Sequence, residues 1–264
     1  MLNMIQADIF KMYKSSAIKV LFIITVLCSS AMTIIAYMIP QGKVGLESTG
    51  IGFLFSDMNM ISILGAAVAG IFICSDFENK TVHAAITSGS TRAAIIVSKA
   101  LSFFFAIAFI LLPYVIATTV AVSSGNEFSM GKVGLGFLNL LCESSKMTLQ
   151  TSEVFKLVLV MLTFAIVYIA QLSICMPLAI LLRKPVFVVV IYYGLTILFA
   201  QLMNLKSSAL LKKIFSVTPY DGKYVLLTIG SGTGDVVKAL LISAVFISAM
   251  LFISYAIFRK AEIK

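Results

Sequence analysis

Few side chains in this chain have the chemistry to make or break a bond. His83 is the only histidine, so a Ser–His–Asp relay and a histidine-rich metal site both lack their parts. Asp76 and Glu78 lie two residues apart, a spacing that turns carboxylates away from each other on a helix. That argues against a metal-dependent lipid enzyme at the membrane surface. No GxxxxGK[ST] run occurs, so the chain has no phosphate-cradling loop of that type. Gly230, Gly232 and Gly234 have GxGxG spacing without a preceding strand and read as flexible connector. Cys28, Cys74, Cys142 and Cys175 include no pair at CxxC or metal spacing and read as small apolar residues. Asn79-Lys80-Thr81 matches the glycosylation sequon, but by position it is a chance match. Gln171 and Asn204 remain as polar groups inside apolar runs. Each either lines a path or bonds to a neighbouring helix.

The polar chemistry is concentrated in Ser75–Lys99, a polar island between two long apolar runs. Phe77, Thr81, Val82, Ala85 and Ile86 recur at helical spacing, with Glu78, Lys80 and His83 off that face. One short amphipathic helix is therefore predicted. Gly89 suits a left-handed C-terminal cap, and Ser90 or Thr91 is placed to start a new helix at Arg92. The plainer alternative is a solvated loop that only joins two spans.

The elements around the island are mostly apolar. The 264 residues are 60% hydrophobic and 12% charged, with a mean hydropathy of +1.07. Soluble domains carry about twice that charge, so the bilayer is the fitting solvent. The net charge of +9 forms no basic stripe with interleaved aromatics, so a nucleic-acid partner is not expected. Residues 1–16 have an apolar stripe (Leu2, Ile5, Ile9, Met12, Tyr13) with lysines elsewhere, the pattern of an interfacial helix contacting membrane lipid. Spans are predicted at residues 18–39, 58–74, 100–122, 154–182, 186–204 and 236–258. Ser29-Ser30-Ala31 would suit a signal peptidase, but the apolar run continues through Ile39, too long for a signal core.

Several details follow from the same reading. Small residues Ser62, Gly65, Ala66, Ala69 and Gly70 permit close packing of the second span. Asp57 is expected at the outer edge of that span, because an aspartate at mid-bilayer costs about 3 kcal/mol. Pro113 should kink the third span. Residues 40–56 read as a connector, and Val133–Cys142, too short to cross, as an interfacial segment. Residues 205–235 form a long connector, basic and amphipathic in its first half, with a turn at Pro219-Tyr220-Asp221-Gly222. Six spans place both termini on one side. With that side cytoplasmic, 11 of the 20 basic residues lie inside, on shorter segments and with all three arginines (Arg92, Arg183, Arg259).

The order of parts resembles the permease subunits of type-2 ABC transporters across essentially the whole chain. Phe77-Glu78-Asn79-Lys80-Thr81, Ser90-Thr91-Arg92 and Lys99 look like that family's motif after the second span, with Lys80 where a glycine is common. The resemblance implies an all-α integral membrane protein with a single permease domain over residues 1–264. It implies six transmembrane helices, an N-terminal interfacial helix and a cytoplasmic coupling helix within 75–99. It further implies a bacterial cytoplasmic-membrane location and a separate ABC ATPase subunit carrying the ATP and Mg, with no cofactor in this chain. A second permease copy or paralogue would complete the unit. Glu78 and Thr81, with Phe77, would meet the ATPase, and Arg92 and Lys99 would brace the contact. The second and fifth spans would line the substrate path, bringing forward Ser62, Ala66, Tyr193, Thr196 and Asn204 beside Gln171. The compact size is similar to the subgroup that exports antimicrobial peptides or confers immunity to them. A membrane sensor that recruits a soluble protein without transport is the competing reading.

Overall fold

The computed structural model describes residues 2–45, 48–130, 134–144, 151–204, 213 and 215–260. All of their regular secondary structure is helical. A bilayer imposes this economy, since a helix satisfies its backbone hydrogen bonds within one segment. Among the described residues six helical segments are long and apolar enough to cross a membrane: Ser16–Met38, Thr49–Glu78, Arg92–Ser123, Glu153–Leu182, Pro185–Leu202 and Thr233–Lys260.

In chain order, α1 (Leu2–Lys14) turns at Ser15 into α2 (Ser16–Met38). The hydroxyls of α2 are absorbed by its own backbone: Thr25 donates to the Phe22 carbonyl, and Ser29 and Ser30 donate to that of Val26. A short α3 (Thr49–Leu54) precedes α4 (Asp57–Ala69), which ends in a π-helical turn over Gly70–Cys74. The second span therefore begins within the expected connector. Its corner is stitched by the Tyr114 hydroxyl donating to the Phe55 carbonyl at 2.8 Å and the Asn59 amide donating to that of Phe53 at 2.8 Å.

The island follows as two short helices, α5 (Ser75–Glu78) and α6 (Thr81–Thr87), in place of one. Next, α7 (Arg92–Ser123) continues through Pro113 as one helix. It is the central element, packing against α1, α2, α4, the short α8 (Gly136–Ser144) and the helices of the fourth and sixth spans.

The fourth span is split into α9 (Thr151–Leu172) and α10 (Cys175–Leu182). Pro177 accounts for the restart, because it lies in the first turn of α10, where its missing N–H and its ring are tolerated. Then α11 (Pro185–Asn204) packs against α4, a one-turn α12 (Gly222–Val225) leads on, and α13 (Thr233–Lys260) packs against α9 and α10. Only 11% of the apolar window in the fifth span and 17% in the sixth is buried, so these helices present most of their surface outward.

The small residues of the second span work as predicted. A Cβ on Gly70 would meet Pro185 at 2.8 Å, and one on Gly65 would collide with the Leu172 side chain. Close approach here replaces a hydrophobic drive that is absent between helices in lipid.

One expectation is overturned here. The segment expected to lie at the interface, in the part described from Gly136, is buried: Phe137, Leu138, Leu140 and Leu141 are wholly enclosed by α2, α4, α7 and α9. Asp57, expected at the outer edge of its span, is the first residue of α4 and is buried within the protein. Its carboxylate accepts the Phe137 N–H at 3.1 Å and the Tyr168 hydroxyl, so one aspartate caps the re-entrant helix. The chain reaches this contact only because Gly136 has φ +61° and lacks a Cβ, which would strike both Asp57 and Tyr168.

Gly136→Ala should therefore destabilise the protein by more than about 2 kcal/mol, since the left-handed penalty alone is about 1–2 kcal/mol. Gly194→Ala, in open space within α11, should be neutral or gain about 0.5–1 kcal/mol. Thermal unfolding midpoints of both variants in detergent check this contrast, and equal midpoints would contradict it.

Candidate functional site

The polar segments gather at one end of the bundle, where α1, the island, the head of α7, the α10–α11 turn and the end of α13 meet. Local rules set its backbone. Behind α6 the Ser90 N–H donates to the Ala85 carbonyl at 3.1 Å and the Gly89 N–H to that of Ile86 at 3.0 Å, with Gly89 at φ +90°. This is the two-bond C-terminal cap that Gly89 was expected to allow. Thr91 then caps α7 by accepting the Ala94 N–H at 3.2 Å.

The break within the island lies at Lys80, which adopts φ 55°, ψ 19°. A side chain in that left-handed region costs about 1–2 kcal/mol. Glycine would occupy the position without strain. The helical spacing from Phe77 to Ile86 carried across this interruption, so periodicity predicted one helix where the chain makes two.

Charge holds the end together. Lys99 Nζ lies 2.5 Å from Asp8 Oδ1 and 2.5 Å from Asp76 Oδ2, and Lys11 Nζ lies 2.7 Å from Asp76 Oδ1. The Thr81 hydroxyl also donates to Asp76 Oδ1 at 2.9 Å. Two cations balance two anions, so the cluster is neutral as a set and joins α1, the island and α7. The Asp76 side chain is 3% exposed and that of Lys99 16%, whereas Lys11 remains 43% exposed. The Lys99–Asp76 pair is consequently the one whose rupture would strand a buried charge.

A second tie runs to the last helix. The Arg92 guanidinium donates to the carbonyls of Phe258 at 3.1 Å and Arg259 at 2.6 Å, groups left free at the end of α13. Phe77 stacks edge-on against Phe258 at 6.0 Å, and the Arg183 guanidinium lies 5.4 Å from the Phe77 ring centre. Val82 is buried beneath α6. Glu78, Asn79, Lys80, Thr81, His83, Ala84 and Thr87 are left exposed on a platform anchored to α1, α7 and α13.

Of the two residues expected to brace a partner contact, Lys99 pairs with Asp76 of the island and Arg92 ties the head of α7 to the end of α13. Glu78 and Thr81 are exposed, although the Thr81 hydroxyl is engaged by Asp76. Phe77 is half-buried between Arg183 and Phe258, so its ring supports the platform and is not its outer surface.

The expected substrate path is less coherent. Although α4 and α11 do pack together, Ala66 is fully buried and lines no open cleft. Gln171 is buried too, and its amide donates to the Pro219 carbonyl at 2.9 Å. The Tyr220 hydroxyl returns a bond to the Gln171 carbonyl at 2.7 Å. Gln171 therefore pins the turn before α13 into the bundle. Ser62 and Thr196 spend their hydroxyls on the carbonyls of Met58 and Tyr193, and all three of Ser62, Tyr193 and Thr196 are partly exposed. The Asn204 side chain and most of the basic half of the following connector lie outside the described residues.

Asp8, Lys11 and Asp76 were missed as site residues. One signal was available: Asp8 is the lone acid in an N-terminal segment that otherwise carries lysines. No group of three or more His, Cys, Asp or Glu residues placed to hold a metal occurs among the described residues. No family model, curated protein or solved structure matches this chain.

Lys99→Met should cost about 3 kcal/mol, because it leaves Asp8 and Asp76 facing each other with one partly solvated lysine. Lys11→Ala should cost less than about 1 kcal/mol, as expected for a largely solvated partner. Thermal midpoints in detergent and protease cleavage within residues 1–15 measure both effects. Equal behaviour of the two variants would contradict the ranking.

Proposed function

We propose that this chain is the membrane-spanning subunit of an ATP-driven exporter, and that the exposed face of the island docks a separate ATP-hydrolysing subunit. The observation that carries the reading is the anchoring of the island. Its outer face offers Glu78, Lys80, Thr81, His83 and Thr87 to a soluble partner, while its inner face is tied to α1, α7 and α13 by Asp76, Phe77 and Val82. A loop that merely joins two spans has no need of such ties.

Displacement of α6 would be felt through Asp76 and Lys99 by α1 and α7, and through Phe77 and Phe258 by α13. That is the mechanical property a coupling segment needs. ATP and Mg would reside on the partner, in keeping with the lack of a phosphate loop of the usual form in this sequence. The resemblance to type-2 ABC permeases supports the same assignment and suggests a second permease copy or paralogue. It also suggests a peptide, antibiotic or other amphipathic substrate.

The density of basic residues at this end, including Lys11, Arg92, Lys99, Arg183 and Arg259, favours its placement in the cytoplasm, with both termini inside a bacterial cytoplasmic membrane. Each turnover in this scheme requires the platform to move as a unit. The switch from an inward-open to an outward-open cleft then follows from tilting α1, α7 and α13 together.

The test is co-purification of the tagged chain from its native membrane, with and without Glu78→Arg. The wild-type chain should retain a stoichiometric ATPase, and the charge reversal should reduce its retention at least about tenfold, consistent with several kcal/mol for like-charge juxtaposition. A soluble partner without nucleotide-binding activity would support recruitment without transport. An ATPase retained equally by Glu78→Arg would refute docking at this face.

A further inference from the structure

The corner between α1, α2 and α7 encloses a cleft of about 410 Å³ lined by Ile9, Met12, Tyr13, Ile18, Lys19, Phe105 and Phe109. Its volume lies within the range of small-molecule sites. The walls are aliphatic and aromatic, while the charge of the lining comes from Lys19 alone, and no carboxylate lines it. Lys19 is exposed and has no ion-pair partner among the described residues, in contrast to Lys11 and Lys99 on the neighbouring cluster.

The cleft has a floor. Phe22 and Phe109 stack with ring centres 4.6 Å apart, closing the α2–α7 seam one helical turn beyond Lys19. On the far side of that stack a second apolar groove of about 590 Å³ continues along the same seam, but its polar groups are Ser29, Ser30, Thr33, Tyr37, Ser124 and Asn126, all uncharged. The seam is thus cationic at the end next to α1 and neutral at the other.

We infer that the α1–α2–α7 corner is a binding site for one anionic phospholipid of the bilayer, with an acyl chain between Ile9, Ile18, Phe105 and Phe109 and the phosphate on Lys19. Three features carry this. The apolar part opens sideways, since Phe105 and Tyr13 are 53% and 77% exposed. The lone cation sits at its rim, where Tyr13 brings a hydroxyl donor. The site also lies where an interfacial helix joins a span, the depth at which headgroups reside. Basic pockets between membrane helices take anionic headgroups by this complementarity. The inference rests on the membrane-spanning architecture and not on the export reading.

The experiment uses the full chain in nanodiscs of phosphatidylcholine with or without phosphatidylglycerol, counting retained lipid by native mass spectrometry and titrating its affinity. One phosphatidylglycerol should be retained in preference to phosphatidylcholine. Lys19→Ala should weaken its binding about fivefold, Lys19→Glu by more than about tenfold, and Lys19→Arg little. Ile9→Trp, which fills the cleft and leaves the charge in place, should also release the lipid. Lys43→Glu, an exposed charge reversal beyond the far end of α2, should not. Equal retention of phosphatidylcholine, or undiminished phosphatidylglycerol binding by Lys19→Glu, would overturn the site.

Discussion

The ammonium of Lys99 between the carboxylates of Asp8 and Asp76 is the interaction on which the polar end depends. A segment as polar as Ser75–Lys99 cannot enter lipid, so it must be held at the surface by something stronger than apolar contact. Removing the charges from water is costly unless each finds its partner. The chain meets that requirement by drawing one acid from the first helix and one from the end of the second span onto a lysine in the third. Lys11 completes the neutral set. Once these four meet, α1 has a fixed position and so has the start of α7. Arg92 then closes the carbonyls at the end of α13, and the platform is attached at both ends.

A second constraint works at the other end of the α4 helix. Asp57 would be an unpaired buried carboxylate were it not for the Tyr168 hydroxyl and the N–H of Phe137. Both reach it because Gly136 turns the backbone through a conformation open to glycine. The re-entrant α8 and the corner at Ser56 are therefore one unit. Gln171 does similar work farther along, holding the turn at Pro219 and Tyr220 within the bundle. In each case a polar side chain inside an apolar run serves to seat irregular backbone, as is required wherever a non-helical segment enters a membrane protein.

The number and approximate limits of the spans were legible because runs of about twenty apolar residues have few alternatives. The cap at Gly89 and the start of α7 at Thr91 were legible for local reasons, and so was the close packing through Gly65 and Gly70. What failed depended on partners distant in sequence. Nothing around Val133–Cys142 distinguishes a segment lying on the interface from one enclosed by four helices. The partners of Asp57 were not legible either, because the two contacts that offset part of the cost of its burial lie 80 and 111 residues away. The island was read as one helix because Phe77 and Thr81 keep helical spacing across the left-handed Lys80. Gln171 was a candidate for a path because its partner, the Pro219 carbonyl, is a backbone group that no side-chain pattern announces. Of the proposed docking residues, Arg92 and Lys99 were singled out through the family resemblance. Asp8 and Asp76, the acids that pair with Lys99, were not.

The central claim is that the exposed face of α6 meets an ATP-hydrolysing protein on the cytoplasmic side. Photo-cross-linking from position 83 in intact cells tests it most directly, because the His83 side chain is exposed on that face. The account predicts a covalent adduct with a cytoplasmic nucleotide-binding polypeptide. Adducts confined to lipid, or to proteins on the extracytoplasmic side, would contradict it.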